Sequence, residues 1–299
     1  MLAALLLVAA CKNEPAKKEG PDARLDKTLH MSIDESFEPV MREEIKVFES
    51  SYPDVTVVAE FKPESDCIRD LEKDSTKIVI ISRELTRDET KHFDKKISYK
   101  PEFAQLAKDA VAVVVNKNAA DSVFSLKDIK QLLAGTGNQK QGVAIDGNRA
   151  TSTVRYLRDS VLKGTAFGKN ITGAKNSEEL INYIATTPNA IGFVGISWIT
   201  NPQSDQQEQA VDKVRTALVE CNKNCDTGEF AKPSQQTITF DQYPLVRGLY
   251  YVLKENYPGI GSRFVGFLTT ERGQLIFKRA LLMPATMSFN RRKTNMESE

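Results

Sequence analysis

The chain has 299 residues, with 41 Lys plus Arg against 40 Asp plus Glu, two His, four Cys and one Trp. Its length suits two domains or one large one, and 40% hydrophobic with 27% charged residues excludes a disordered or fibrous chain. A net charge of +1 offers no basic field for nucleic-acid binding, and His30 and His92 alone leave little for a His-based metal centre or a Ser-His-Asp machine.

Met1 to Ala10 is almost wholly apolar. Spanning a bilayer takes about 20 residues, so this run is too short for a membrane helix. It reads as the apolar core of a signal peptide. With no Lys or Arg ahead of it, Met1 reads as an internal or trimmed start. Val8-Ala9-Ala10-Cys11 resembles the bacterial lipobox, which implies a lipidated Cys11 at the head of the mature chain. Residues 12–27 are charged and nearly free of bulky apolar groups, as expected of a flexible tether. Signal (1–11), lipid and tether (12–27) predict a folded part held outside the cytoplasm, near a membrane.

After Ser36, the residues Val40/Met41, Ile45 and Phe48 recur at helical spacing. Val55 to Phe61 alternates with period two and reads as a strand. Lys77 to Ile81 and Ala110 to Val115 are short apolar runs, the pattern of strands buried on both faces. Between them Thr86-Arg-Asp-Glu89 is a capping box. Ser125-Leu-Lys-Asp128 opens a helix with Ile129, Leu132 and Leu133 on one face, and Gly135 ends it. Val143 to Ile145 is a short strand. One helix follows Thr151-Ser-Thr153, with Val154, Leu157 and Val161 aligned; another follows Ser177, with Leu180, Ile181 and Ile184.

Ile191 to Gly195 reads as a Gly-bounded strand or turn, and residues 200–236 turn polar. Thr237 to Phe240 and Leu249 to Leu253 read as strands, and Ser262 to Leu282 as one amphipathic helical stretch. Alternating strands and helices predict a parallel-rich α/β architecture. Ligands in such sheets sit beyond the carboxyl ends of the strands. Cys221 and Cys225 flank Asn-Lys-Asn and can close a small disulfide in an oxidising compartment. Their Cys-x3-Cys spacing is not the redox motif, and zinc would need two further ligands. Cys67 reads as a buried thiol.

Three hydroxyl-rich helix starts stand out: Asp34-Glu-Ser36-Phe37, Ser82-Arg83 and Asn148-Arg-Ala-Thr-Ser-Thr153. A helix start offers unpaired N–H groups and partial positive charge to an anion, and Ser and Thr are also ordinary N-caps. Asp34, Glu35 and Glu38 repel an anion unless the ligand carries a proton for one of them, as monohydrogen phosphate does and sulfate does not. No G-x-S-x-G elbow, P-loop or complete dinucleotide fingerprint occurs, and Ser36, Ser82 and Ser152 have no His within their segments. An enzyme, such as a secreted phosphatase or esterase, is not expected.

At these residues the sequence resembles the PstS-type phosphate-binding proteins of bacterial ABC transporters, and more narrowly their lipoprotein form in Bacteroidetes. The matching segments are Ser32 to Phe37, Val79 to Thr86, Lys108 to Asn116, Ala150 to Leu157, Asn189 to Gly195, Tyr243 to Tyr250 and Phe264 to Gln274. The resemblance covers about residues 28–286. It implies a two-lobed α/β periplasmic-binding-protein fold of type II, with two crossover strands as hinge. Lobe one would be 28–115 plus 240–299 and lobe two 116–239, crossing at Ala110 to Val115 and Thr237 to Tyr243.

Position by position, the resemblance implies phosphate contacts at Ser36 and Phe37, then at Ser82 with Arg83 beside it. The family's Ser-Gly-Thr corresponds to Ala150-Thr-Ser152 or Thr151-Ser-Thr153, and its preceding Arg to Arg149 or, in role, Arg155. The literal Ser-Gly-Thr is absent, as is the carboxylate that some members place at Ser82-Arg83 to accept the phosphate proton. The implied protein is a monomeric, lipid-anchored periplasmic phosphate carrier that serves an ABC permease, without a cofactor, a metal or nucleic acid. Sulfate or molybdate capture, or a sensor or scaffold without transport, are the alternatives.

Overall fold

The continuous apolar runs become the central strands of one mixed sheet. The structure, a computed structural model, describes residues 27–97, 100–137, 141–146 and 151–287. The signal-like run, Cys11, the tether up to residue 26 and Arg149 lie outside the described residues.

In chain order the first elements are β1 (Thr28–Asp34), α1 (Glu38–Ser51), β2 (Thr56–Lys62), α2 (Glu64–Asp70), β3 (Thr76–Ile81), α3 (Arg87–Ile97) and β4 (Glu102–Asn116). There follow β5 (Val123–Phe124), α4 (Leu126–Ala134), β6 (Gly142–Asp146), α5 (Ser152–Tyr156), β7 (Ile171–Ala174), α6 (Ser177–Thr186) and β8 (Ala190–Gly195). Next come α7 (Ser197–Thr200), α8 (Asp205–Val211), β9 (Val214–Thr216), β10 (Leu218–Glu220), β11 (Phe230–Ala231) and α9 (Gln235–Thr239). The last are β12 (Val246–Leu253), α10 (Ile260–Thr269), α11 (Glu271–Arg279) and β13 (Met283–Pro284).

The sheet runs β2-β1-β3-β12-β4-β8-β6-β7, with β9 and β13 also on β4. β4 is the strand that both halves share. Up to Ala110 it pairs antiparallel with β12, and from Val111 to Val115 antiparallel with β8. β1, β2 and β3 are parallel to one another, as are β6, β7 and β8. Ile78 to Ile81 and Ala110 to Val114 are buried throughout, as their unbroken apolar sequence requires. α1 carries Pro39 in its first turn and buries Val40, Met41 and Phe48. The Phe48 ring meets Phe264 edge-on at 4.8 Å, which docks α1 against α10. Cys67 is a buried free thiol, and Cys221 is bonded to Cys225, their Cα atoms 6.5 Å apart.

Two expected elements differ. Thr237 to Phe240 is helical, lying mostly within α9, because Ser234 caps that helix and Thr237 returns a hydrogen bond to the cap in a capping box. The second crossing is therefore no strand from Thr237; the chain meets β4 through Leu245, whose carbonyl accepts from Val111 N–H. The stretch from Ser262 to Leu282 is two helices, broken at Thr270, which is extended at φ −81° and ψ 169°. The break folds α11 back onto α10 so closely that a Cβ at Gly273 would lie 2.6 Å from the Phe267 carbonyl oxygen.

Glu44 is fully buried on α1, and neither carboxylate oxygen has a hydrogen-bond partner among the described residues. Burial pushes its carboxyl well above the usual range. The folded state thus holds a proton that the unfolded chain releases above its ordinary carboxylate pKa, so Glu44 lowers stability as pH rises through the range between the two values. Glu44→Met is expected to raise unfolding stability at pH ~8 by ~1–3 kcal/mol, with a smaller gain at pH ~4.5, measured by urea denaturation.

Candidate functional site

The parallel strands β1 and β6 end on aspartates, Asp34 and Asp146, at the carboxyl edge where such sheets hold ligands. After Asp34 the chain makes a single 3-10 turn over Glu35–Phe37. Asp34 caps that turn by accepting from Ser36 N–H at 2.8 Å. Its other oxygen accepts from Ser152 N–H at 3.1 Å, across 118 residues of chain. Thr151 caps α5 by accepting from Val154 N–H at 3.2 Å, and its hydroxyl donates to the Asp146 carbonyl and carboxylate.

Ser36 Oγ lies at the meeting point of the two segments. It donates to Asp146 Oδ2 at 3.4 Å, lies 3.1 Å from Thr153 Oγ1 and accepts from Ser152 Oγ at 3.3 Å. Ser177 Oγ also donates to Asp146, at 3.0 Å. Ser36, Thr151, Ser152, Thr153 and both aspartates are buried.

Arg247 closes the cluster from β12. Its Nε donates to Asp109 Oδ2 at 2.9 Å, directly across the β12–β4 register. Nη1 donates to Ser152 Oγ at 2.9 Å and to Thr153 Oγ1 at 3.1 Å. The guanidinium stacks 4.9 Å over the Phe37 ring, a cation–π contact. Nη2 is buried and has no acceptor among the described residues. β8 ends beside it at Gly195, where a Cβ would come within 2.8 Å of the Ser36 carbonyl oxygen and 3.3 Å of Nη2. Only glycine fits that close approach.

Burial works against Arg247's charge, yet the neighbouring Asp109 and Asp34 carboxylates more than offset it and hold the guanidinium above its ordinary pKa. Burial, reinforced by the negative charge of Glu64, pushes Asp34 up to about 6, with Arg247 opposing. Burial likewise pushes Asp146 up to about 7; Arg247 opposes the rise and Asp34 adds to it.

A second cluster adjoins the first. Glu64 is buried and accepts from Ser82 N–H and Ser82 Oγ, both at 2.8 Å. Arg155 of α5 donates to Glu64 and to Ser82 Oγ. Burial raises the Glu64 carboxyl, but Arg155 and the Ser82 donors outweigh it and hold it below its usual range. Arg83 makes a two-pronged pair with Glu89 at 2.7 and 2.8 Å, and its Nε lies 3.9 Å from Glu64. Among the described residues no group of three or more His, Cys, Asp or Glu is placed to hold a metal ion.

Ser36, Phe37, Thr151, Ser152 and Thr153 thus come together, while Ser82 and Arg83 belong to the adjoining cluster. Sequence reasoning missed Asp109, Asp146, Glu64 and the part played by Arg247. The signal for Asp109 was present: it is an acid directly before the apolar run Ala110 to Val115 of β4. The buried pair predicts a specific non-additivity. Asp109→Leu and Arg247→Met alone should each cost ~3–5 kcal/mol of stability, since each strands a buried charge, while the two together should cost far less. A denaturant double-mutant cycle measures this.

The family model described as PBP superfamily domain matches residues 19–272. The phosphate-binding protein PstS of Pseudomonas aeruginosa is 25% identical over 249 residues, covering 75% of this chain and 73% of that protein. A crystal structure titled as a candidate phosphate ABC transporter substrate-binding protein with bound phosphate, from Clostridium perfringens, superposes with a TM-score of 0.69 at 21% identity. The match covers 86% of this chain and 99% of that one. An ABC-type phosphate transport receptor from Vibrio cholerae superposes with a TM-score of 0.62 at 17% identity, over the same share of each. These structural likenesses establish a shared fold, the periplasmic-binding-protein type.

Proposed function

The chain belongs to the PBP superfamily, and from that premise we propose that it is an extracytoplasmic solute-binding protein that captures inorganic phosphate. The observation that carries this reading is the buried Arg247 guanidinium, with Nη2 unpartnered among the described residues, set among the hydroxyls of Ser36, Ser152 and Thr153. A tetrahedral oxyanion presents acceptors in several directions and matches such a set of donors. Charge-assisted hydrogen bonds in a site closed to water are strong enough for tight capture. The names of the Pseudomonas and Clostridium relatives support phosphate as the ligand.

The moving bodies are proposed as residues 28–115 with 240–299 and residues 116–239. The division of the sheet along β4 supports this, as do the contacts of Asp34 and Ser36 with Ser152 and Thr153. Closing brings those groups together and expels water; opening separates them for release. Hydroxyls now bonded to one another would turn onto ligand oxygens, so the protein exchanges hydrogen bonds without forming covalent ones. Delivery to an ABC permease, by a monomer anchored through a lipid on Cys11, completes the proposal; the lipobox-like Val8 to Cys11 supports the anchor.

Isothermal titration tests the reading. Phosphate is expected to bind one to one. Arg247→Lys, which keeps the charge and loses the forked geometry, should weaken binding ~10–100-fold, and Ser36→Ala about tenfold. Binding of sulfate or molybdate in place of phosphate would overturn it, as would hydrolysis of a chromogenic phosphate ester that disappears in Ser36→Ala.

A further inference from the structure

Glu64 has the surroundings of a bound oxyanion. Its Oε1 accepts from Ser82 N–H and Ser82 Oγ, and its Oε2 accepts from Arg155 Nε at 2.5 Å. Arg155 Nη2 donates in turn to Ser82 Oγ at 2.6 Å. A backbone N–H, a hydroxyl and a guanidinium are the donors a tetrahedral anion uses, and here the chain's own carboxylate takes them. These groups come from the two proposed bodies. Glu64 opens α2 and Ser82 follows β3, both within residues 28–115, whereas Arg155 lies on α5, within 116–239. Of the ion pairs between described residues, that of Arg155 with Glu64 is the one that joins the two bodies.

Arg155 shares its short helix with Ser152 and Thr153, whose hydroxyls meet Arg247 Nη1. Fixing Arg155 on Glu64 therefore pins the start of α5 over Asp34, Ser36 and Arg247. Burial raises the Glu64 carboxyl, but the Arg155 and Ser82 donors outweigh it, so the pair stays charged at neutral pH. We propose that Glu64 and Arg155 are positioning residues whose ion pair latches the cleft shut in the absence of ligand, with Glu64 standing as an internal oxyanion between the two bodies. The proposal rests on the reading of the chain as two bodies that close on a ligand. It does not depend on which anion is captured.

Such a latch acts on rates more than on affinity. Entry and release both require an open cleft, and the ion pair opposes opening in the free and the liganded protein alike. Where the free protein is already shut, the latch slows association and release by the same factor and cancels from Kd. That signature separates it from two other roles. Side chains that only steadied the liganded cleft would slow release and leave association unchanged. A carboxylate that only competed with the ligand would slow association and leave release unchanged.

Stopped-flow kinetics with inorganic phosphate reads both rates. Arg155→Met and Glu64→Gln are each expected to raise association and release together, by ~10-fold, while Kd moves by less than ~3-fold. A rise in release alone, a rise in association alone, or no change in either overturns the latch. Spin labels on Arg69→Cys and Arg158→Cys, exposed positions on the two bodies, read closure directly. In the otherwise wild-type chain one short distance is expected, the same with and without phosphate, and a longer one in ligand-free Arg155→Met. A wild-type distance that shortens only when phosphate is added overturns the proposal, even if neither variant folds. Absence of phosphate binding overturns the phosphate reading alone, because the ligand-free distances with and without Arg155→Met or Glu64→Gln still decide the latch.

Discussion

The buried pair of Arg247 and Asp109 is the contact on which the rest of the cleft depends. The two residues stand opposite each other on β12 and β4, the strands at the middle of the sheet. From that fixed point the guanidinium reaches Phe37 after β1, and Ser152 and Thr153 at the start of α5; the end of β8 lies beside it at Gly195. Segments far apart in sequence are thus organised around one side chain. A buried ion pair adds little stability compared with an apolar pair of the same size. Its value here is positional, because it holds a charged donor rigidly in a dry place.

A protein with a net charge of +1 attracts no anion from a distance. At the proposed phosphate site attraction is local, supplied by the Arg247 guanidinium and the hydroxyls of Ser36, Ser152 and Thr153. Those hydroxyls bond to one another and to Arg247, so the closed cleft holds them at fixed positions. Replacing a hydroxyl partner by an oxyanion oxygen exchanges a neutral hydrogen bond for a charge-assisted one, which favours the complex. Ordering costs little, since these side chains are already buried and held.

Much of the fold was legible because the signals were local. The apolar runs of β3 and β4, the capping box at Ser125 and the Gly135 stop depend on near neighbours, and the structure carries each of them. Thr237 to Phe240 misled because β-branched residues suggest a strand, whereas the capping box from Ser234 outweighs that preference. The hydroxyl residues of the site were visible for the same local reason, since Thr151 is also an N-cap. Arg247 was not, because its partner lies 138 residues away and only the β12–β4 register brings them together. Asp34 was read as an obstacle to anion binding, and Asp146 drew no attention at the end of its strand. Only the fold brings both around Ser36.

The adjoining cluster explains why charge in the cleft is so sparingly matched. Arg155 rises from the same α5 that presents Ser152 and Thr153, yet its guanidinium turns to Glu64 and Ser82. Glu64 is in turn drawn below its usual pKa range and stays ionised. It links α5 to α2 and the end of β3, and its negative charge still raises the Asp34 carboxyl. Arg155 therefore fastens the two sides together without lending its charge to the site.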